Sequence, residues 1–397
     1  MNILFANDQE FNPQIGGIER ISSILAKEFQ QLGYKVYFIA CTRYSYSKEY
    51  MPVAPQKMLS NSIEFNTPNN INEFCAYLEE NDIDIIINQA GNIRQFSLLC
   101  FKAAKLYKQA KVISVIHIDP IYKFTSLFDL STSILPSQKF YKILGRLLFL
   151  PYRIFKTYIS ESNLYNFIYN NSNAVVLESS QYKKDFKKIT RLASHKKLTA
   201  ISNPFPFNVD TPNINAKENK ILYVGRIEYW HKRVDRLLDI WMKLAPEFPS
   251  WSLDIVGDGS IKKELIELAK INKIERVNFI DFGDPIPYYK RSQILCMTST
   301  YEGLPMVLIE ASHYGCIPVA FKSFSSLPDI IDDGTNGYMI KPYCLKEYEN
   351  KLRLLMGDEV LRKAIQIETM KIYKKFQTKT IVKQWVRLFE ELLVENN

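Results

Sequence analysis

Two carboxylates eight residues apart give this sequence its clearest chemical signal. Glu302 and Glu310 follow an apolar run at 294–299; Pro305 suits the first turn of a helix and Gly315 suits its end. Glu302 is therefore expected in a strand-to-helix turn, with Glu310 about two turns along the helix. A helix N-terminus favours phosphate or sugar oxygens through its free N–H groups and its dipole. An ordinary helix with two acidic residues explains the spacing equally well.

Two cations follow another predicted strand. Arg226 and Lys232 lie just after the apolar run 221–225. Arginine can hold a phosphate through two hydrogen bonds and lysine adds a point charge, so the pair suits a diphosphate leaving group. Gly303, in the turn described above, joins this predicted binding set, because glycine lets a ligand approach the backbone closely. Taken alone, the cations fit a solvated basic loop better.

The first half of the chain offers weaker signals. The pair Gly16-Gly17 separates the first predicted strand from the first helix, where backbone N–H groups can contact a phosphate. The pair is not the G-x-G-x-x-G fingerprint of dinucleotide-binding folds, and a turn without a ligand fits it too. His117 ends the predicted strand 112–117, at the strand end where ligands bind in parallel sheets. A structural histidine is equally compatible with this position.

Motifs for metals and cofactors are missing from the sequence. The segment Asp82-Ile83-Asp84 resembles a metal-binding D-x-D motif, but it leads into the strand 84–88 at its amino end, away from the ligand-binding end. We therefore predict a turn there. P-loop, H-E-x-x-H and G-x-S-x-G motifs are absent. We expect no metal and no cofactor.

Strand-like and helical stretches alternate along the chain, which predicts an α/β architecture with parallel sheets covered by helices. The predicted strands lie at 3–6, 34–40, 84–88, 112–117, 174–177, 221–225, 253–257, 277–281, 294–299, 317–321 and 338–341. The proline-rich segment 203–212 interrupts the pattern. We predict two Rossmann-like, doubly wound domains, at 1–204 and 205–377. The last helix, within 378–397, has an apolar face whose docking partner stays open, the first domain being one candidate.

The net charge of +9 is concentrated in one region. Residues 121–200 contain 13 Lys/Arg and 4 Asp/Glu, and residues 122–169 mix many aromatic side chains with these cations. Such a mixture suits an anionic membrane surface. An apolar helix packed into the first domain, with a solvated basic edge, fits nearly as well. No nucleic-acid motif accompanies the segment, so we expect no nucleic-acid partner.

Cysteine usage and hydropathy bear on the cellular location. The six cysteines are scattered without a C-x-x-C pair, which favours free thiols in a reducing compartment. The sequence begins without a basic signal-peptide segment, and no run reaches the roughly 20 apolar residues of a membrane-spanning helix. We expect a cytoplasmic protein that associates peripherally with the inner face of the cell membrane through residues 122–169.

In their joint order and positions, these motifs resemble those of the GT-B glycosyltransferases, specifically family 4, the retaining group. The matching positions are Glu302 and Glu310 for the E-x7-E signature, Arg226 and Lys232 for the basic pair, Gly16-Gly17 for the first loop, His117 for the first-domain histidine, and 327–338 for a late segment. The resemblance implies two Rossmann-like domains facing each other across a cleft. The second would hold a nucleotide-sugar, and the first would lie on the acceptor side.

The same resemblance implies a reaction and its residues. A sugar would move from a UDP- or GDP-sugar to a saccharide or lipid-linked oligosaccharide in polysaccharide, capsule or lipopolysaccharide assembly, with retention and without a metal. The implied catalytic residues are Glu302, which orients the sugar, His117, which contacts it, and Arg226 and Lys232, which neutralise the diphosphate. The implied donor-binding residues are Gly16, Gly17, Arg226, Lys232, Glu302, Gly303, Leu304 and, at the ribose, Glu310.

Two alternatives remain open at this point. A nucleotide-sugar epimerase of similar two-domain fold would need no acceptor, so it would turn over a nucleotide-sugar alone. A non-catalytic protein that binds sugars or nucleotides is the other alternative. The presence of both cations and both carboxylates argues against a decayed site.

Overall fold

The computed structural model describes residues 1–43, 50–132, 147–205 and 212–394. The chain divides into two compact units. The first consists of Met1–Ile121, Phe155–Pro206 and Gln377–Asn397, and the second consists of Tyr122–Ile154 and Phe207–Phe376. The C-terminal segment therefore belongs with the first unit, although it follows the second along the chain.

A parallel sheet forms the centre of the first unit, with the strand order β3-β2-β1-β4-β5-β6-β7 among the described residues. Its strands are β1 Asn2–Gln9, β2 Lys35–Thr42, β3 Gln56–Met58, β4 Ile85–Asn88, β5 Lys111–Ile116, β6 Ala174–Leu177 and β7 Leu198–Ala200. The helices along this part of the chain are α1 Gly17–Gln31, α2 Pro68–Glu80, α3 Arg94–Tyr107, α4 Tyr122–Thr132, α5 Leu150–Asn171 and α6 Tyr182–Ile189. Of these, α4 and the first turn of α5 belong to the second unit.

A second parallel sheet, of order β10-β9-β8-β11-β12-β13 in the described part of the chain, forms the centre of the second unit. Its strands are β8 Lys220–Val224, β9 Ser252–Val256, β10 Val277–Ile280, β11 Ile294–Met297, β12 Ile317–Phe321 and β13 Tyr338–Ile340. The remaining helices are α7 Val234–Leu244, α8 Lys262–Ile271, α9 Ile286–Arg291, α10 Met306–His313, α11 Leu327–Ile330, α12 Leu345–Gly357, α13 Glu359–Thr369 and α14 Thr378–Val394.

Each sheet lies in a hydrophobic core of its own. Strand β4 is buried along its whole length, and β12 is as well, as expected for parallel strands with both faces covered. The C-terminal helix α14 joins the first core, where the ring centroids of Phe389 and Phe29 lie 5.3 Å apart in an edge-to-face contact. This contact supplies the docking partner that the sequence left open.

The predicted α/β architecture with two doubly wound parallel sheets is confirmed. The sequence analysis missed β3 and β7, each three residues long and without a continuous apolar run. The predicted ends of the other strands differ from the observed ones by only a few residues. None of the helices in the described ranges is long and apolar enough to span a membrane.

Candidate functional site

The loop after β8 carries the predicted basic pair on a closely packed backbone. Gly225 begins the loop, and a Cβ placed on Gly257, at the end of the neighbouring β9, would lie 1.9 Å from the Gly225 carbonyl oxygen. Glycine is therefore needed at position 257 for the two loops to approach each other. The side chain of Arg226 is 68% exposed and pairs with Glu228 at 3.2 Å. Its guanidinium lies at the surface, where an anionic ligand can reach it.

Lys232 and Glu302 form a largely buried ion pair. The Lys232 ammonium donates hydrogen bonds to both Glu302 carboxylate oxygens, at 2.7 and 2.9 Å. The His231 Nε2 atom lies 3.5 Å from Glu302 Oε2, at ion-pair distance. Burial opposes ionisation of the Glu302 carboxyl, but the charges of Lys232 and His231 outweigh burial and hold the pKa of this carboxyl well below its usual range. Glu302 is therefore a carboxylate at neutral pH.

Backbone contacts join the loop after β8 to the loop after β11, its neighbour in the sheet. The Thr300 N–H donates to the His231 carbonyl at 2.8 Å, and the His231 ring stacks on Tyr301 with centroids 4.3 Å apart. Thr298 Oγ1 donates to the Arg233 carbonyl at 2.9 Å. Strand adjacency thus brings together two segments that are about 70 residues apart in the chain.

The turn between Glu302 and Glu310 leads into α10 as expected. Helix α10 begins at Met306, and Gly315 follows its end with φ +74°. The Gly303 carbonyl accepts a hydrogen bond from Ser326 Oγ at 2.7 Å, and Leu304 is buried. Glu310 is only 1% exposed and accepts a hydrogen bond from the Tyr289 hydroxyl at 2.9 Å. Its carboxylate therefore lies inside the second unit, and its contact with ribose stays a prediction.

In the first unit, the glycine pair begins α1. Gly16 precedes the helix and Gly17 is its first residue; a Cβ on Gly17 would have no neighbour within 4 Å. The buried Glu19 lies in the first helical turn, and a Cβ on Gly16 would clash with its carboxylate. This carboxylate lies in the N-terminal turn of α1, where the helix dipole favours a negative charge. The role of the pair in closing over phosphates stays a prediction.

His117 is fixed by polar side chains from the neighbouring strand ends of the first unit. Its Nδ1 atom lies 2.5 Å from Glu178 Oε1, and its Nε2 atom lies 2.6 Å from Gln89 Oε1. Asn203 Nδ2 donates to the same Glu178 oxygen at 2.7 Å. Gln89, His117 and Glu178 directly follow β4, β5 and β6. The ring is thus held in one orientation by groups on both sides.

The D-x-D-like segment is a turn, as predicted. Asp82 has a left-handed backbone, and Asp84 accepts a hydrogen bond from the Asn2 N–H at 2.7 Å before β4 begins. Within the described ranges, no group of three His, Cys, Asp or Glu side chains could hold a metal ion.

Comparison with known proteins identifies the family. The model of the family described as glycosyl transferases group 1 matches residues 205–371. The amylovoran biosynthesis glycosyltransferase AmsD of Erwinia amylovora is 31% identical over 270 residues, which cover 66% of this chain and 74% of that protein. The chain belongs to the group 1 glycosyltransferases. The Lys232–Glu302 pair lies within residues 205–371, the part of the chain that the family model matches.

Two further proteins are similar to this glycosyltransferase, one in sequence and one in structure. A Campylobacter jejuni α-1,4-N-acetyl-D-galactosaminyltransferase, named for an undecaprenol-linked saccharide, is 26% identical over 50% of this chain and 55% of its own length. The crystal structure of Anabaena HepE with UDP has a TM-score of 0.72 at 18% identity, covering 98% of this chain and 100% of that one. The structural likeness supports the GT-B fold.

The sequence analysis missed several polar and aromatic groups around the predicted residues of this glycosyltransferase. Gln89 and Glu178 hold His117, and His231 stacks beside the Lys232–Glu302 pair. The signal was available in part, because Gln89 and Glu178 are polar residues placed directly after apolar strands. Their partnership with a particular histidine depends on strand order, which the sequence did not reveal.

The basic aromatic segment of this glycosyltransferase is partly outside the described residues, which omit 133–146. Helix α5 lies in the described part of this region, and its two halves differ in burial. Its second half is packed, with Tyr165 and Ile168 fully buried. Ahead of and within its first turns, Leu148, Tyr152 and Phe155 are exposed.

Proposed function

We propose that this glycosyltransferase is a family 4, retaining and metal-independent enzyme that takes its sugar from a UDP- or GDP-sugar. The buried Lys232–Glu302 ion pair is the single observation that carries the proposal. It lies after neighbouring parallel strands, where α/β sheets bind ligands. The exposed Arg226 belongs to the same loop as Lys232.

The charges suit the diphosphate of a nucleotide-sugar. An ammonium group has three N–H donors, and Lys232 directs two hydrogen bonds to Glu302, so one N–H is left for a phosphate oxygen. Arg226 adds a guanidinium that can bind a phosphate through two hydrogen bonds. When the glycosidic bond breaks, negative charge grows on the leaving diphosphate, and fixed cations stabilise that charge. They supply what a metal ion supplies in other transferases.

Glu302 acts as an acceptor of hydrogen bonds rather than as an acid. Its pKa is held low by Lys232 and His231 despite burial, so it carries no proton to donate at neutral pH. A fixed carboxylate can accept hydrogen bonds from sugar hydroxyls and orient the donor. The acceptor proton would then go to the departing phosphate, with attack on the same face and retention of configuration.

The other predicted residues keep the roles that the resemblance gives them. Gly303 and Leu304 line the donor site, and Glu310 binds the ribose hydroxyls. In the first unit, Gly16 and Gly17 contact the phosphates, and His117 contacts the sugar being transferred. Both ring nitrogens of His117 are already hydrogen-bonded, so the contact with the sugar would be made by the face or a C–H edge of a ring that is held in one orientation.

The acceptor is a saccharide or a lipid-linked oligosaccharide in capsule, lipopolysaccharide or other polysaccharide assembly. Support comes from relatives named for amylovoran biosynthesis and for an undecaprenol-linked saccharide. We also propose a cytoplasmic location, with peripheral binding to anionic membrane through 122–169. Residues 130–160 contain no Asp or Glu, and exposed Tyr152 and Phe155 lie beside Arg153 and Lys156.

A transfer assay tests the proposal. The protein is incubated with UDP- and GDP-sugars and with saccharide or polyprenyl-linked acceptors, with and without EDTA, and the anomeric configuration of the product is read by NMR. We expect retention of configuration and no effect of EDTA. Inversion would contradict the retaining mechanism, and loss of activity in EDTA would contradict metal independence. Conversion of the nucleotide-sugar to its epimer without an acceptor would favour an epimerase, which the names of the relatives do not support.

A further inference from the structure

One tryptophan of the chain is exposed, and it lies in the loop that carries the basic pair. The described residues include all four tryptophans, at 230, 241, 251 and 385. Trp230 is 51% exposed, whereas the other three are buried in the two cores. Trp230 follows Arg226 by four positions and precedes Lys232 by two. A large apolar ring is thus presented to solvent in the same loop as the two cations proposed to bind the diphosphate.

One ring contact and the fixed backbone of the next residue restrain this indole. The Tyr229 ring contacts the Trp230 ring edge to face, with centroids 5.1 Å apart. The Arg233 guanidinium lies 4.9 Å from the Tyr229 ring centroid and is bonded to Asp235 at 3.0 Å. The backbone carbonyl of the next residue, His231, accepts a hydrogen bond from the Thr300 N–H. A ring that is already held loses little conformational freedom when a ligand binds it.

The surroundings of Trp230 match the two kinds of surface on a pyranose. The C–H face of a sugar ring is apolar and flat enough to lie on an indole, while its edge carries hydroxyl groups. In the same loop, Glu228 is solvent-accessible and offers hydrogen-bond acceptors. A rigid aromatic ring with a few polar groups around it is typical of small-ligand sites.

We propose that Trp230 is a stacking platform for a saccharide ring of the acceptor. The inference rests on the proposed function, in which Arg226 and Lys232 bind the donor diphosphate. The transferred sugar is bonded directly to that diphosphate, and the acceptor must reach its anomeric carbon. A ring beside the diphosphate therefore meets saccharide, whereas the nucleobase is set apart by the ribose.

Iodide quenching of tryptophan fluorescence tests the platform directly, because the other three indoles are buried. The probes are methyl α-glycosides of glucose, galactose, N-acetylglucosamine and N-acetylgalactosamine, added after saturation with UDP or GDP. We expect at least one glycoside to shift the emission to shorter wavelength and to reduce quenching at least twofold. Trp230→Ala should lose this response. No protection by any glycoside, or full protection by the nucleotide alone, overturns the proposal.

Transfer kinetics supply a second readout. Trp230→Ala should raise the KM for a saccharide acceptor about tenfold and lower the ratio of transfer to donor hydrolysis, while Trp230→Phe should restore most of both. Ile271→Ala, which removes an exposed apolar side chain at the end of α8, is the matched control. If Trp230→Ala lowers kcat and leaves the KM for the acceptor unchanged, the proposed role of Trp230 in binding the acceptor is wrong.

A wrong donor assignment and a wrong role for Trp230 would give different results. If neither UDP nor GDP raises the thermal midpoint of the wild-type protein, the donor assignment fails. If a nucleotide stabilises the protein but no glycoside protects Trp230, the platform alone fails.

Discussion

Lys232 donates hydrogen bonds to both carboxylate oxygens of Glu302. The residue predicted to neutralise the diphosphate and the residue predicted to orient the sugar are therefore paired with each other. The pair is held by neighbouring strands β8 and β11 and by the backbone bond between Thr300 and His231. A donor diphosphate therefore meets a lysine whose position and charge are already set. Preorganisation of this kind lowers the cost of stabilising a leaving group.

Replacing Lys232 with Ala should lower transfer strongly and also destabilise the second unit. Removal of one preorganised charge typically costs about 10²–10³-fold in kcat. The change also leaves the buried Glu302 carboxylate without its main partner, which costs roughly 3–5 kcal/mol for a buried pair. Initial rates with a saturating nucleotide-sugar and thermal unfolding measure the two effects.

A double variant separates chemistry from stability at this pair. Lys232→Ala combined with Glu302→Gln removes the unpaired charge, so it should recover much of the thermal midpoint but none of the activity. Lys263→Ala, at an exposed position of α8, is the matched lysine control and should change neither. Recovery of transfer in the double variant would refute the role of Lys232.

The low pKa of Glu302 predicts how the stability of the pair depends on pH. Burial raises the pKa of this carboxyl, but Lys232 and His231 lower it by more, so the pKa lies well below the usual range of a glutamate. A depressed pKa in the folded state contributes stability above the unfolded pKa, and this contribution is lost as the pH falls through the folded pKa. The free-energy difference between wild type and Glu302→Gln should be constant above about pH 6 and shrink below about pH 4.5. Urea unfolding at several pH values measures it; a difference that grows in acid would contradict the ion pair.

The individual residues of the site could be predicted from the sequence, but the contacts between them could not. Polar residues after apolar strands pointed to Arg226 and Glu302, because parallel strands collect ligand groups at their carboxyl ends. The contact between Lys232 and Glu302 depends on β8 and β11 being neighbours, and strand order is set by how the helices pack rather than by local pattern. The contact of α14 with the first unit has the same origin, since an apolar helix face does not specify its partner.

Glu178→Gln should weaken the support of His117 without changing the shape of the side chain. The charged hydrogen bond to His117 Nδ1 is buried, and loss of such a bond typically costs about 1.5–3 kcal/mol. The thermal midpoint of the first unit should fall by several degrees. Glu79→Gln, at an exposed position on α2, is the matched control.

A kinetic measurement links this support to the proposed chemistry. If His117 contacts the sugar, Glu178→Gln should lower kcat more than it raises the KM of the donor, and His117→Ala should lower kcat at least as much. Full activity in His117→Ala would remove this residue from the catalytic set.

The exposed apolar residues of α5 should mediate binding to anionic membranes. Tyr152 and Phe155 lie on one side of the helix, three residues apart, beside Arg153 and Lys156. Sedimentation with vesicles of phosphatidylglycerol and phosphatidylcholine at low salt should bring down the wild-type protein. Release should increase with salt, because the attraction to the surface charge is screened.

The variant Tyr152→Glu/Phe155→Glu should lose most of this vesicle binding while the thermal midpoint stays near that of the wild type, since both side chains are exposed. Each charge placed at the interface removes apolar area that would enter the lipid and adds repulsion from anionic headgroups. Leu106→Glu, at an exposed apolar position on α3, is the matched control and should sediment as the wild type does. Sedimentation of the double variant equal to that of the wild type would place the contact elsewhere. A wild-type protein that stays in the supernatant at low salt would refute membrane association itself.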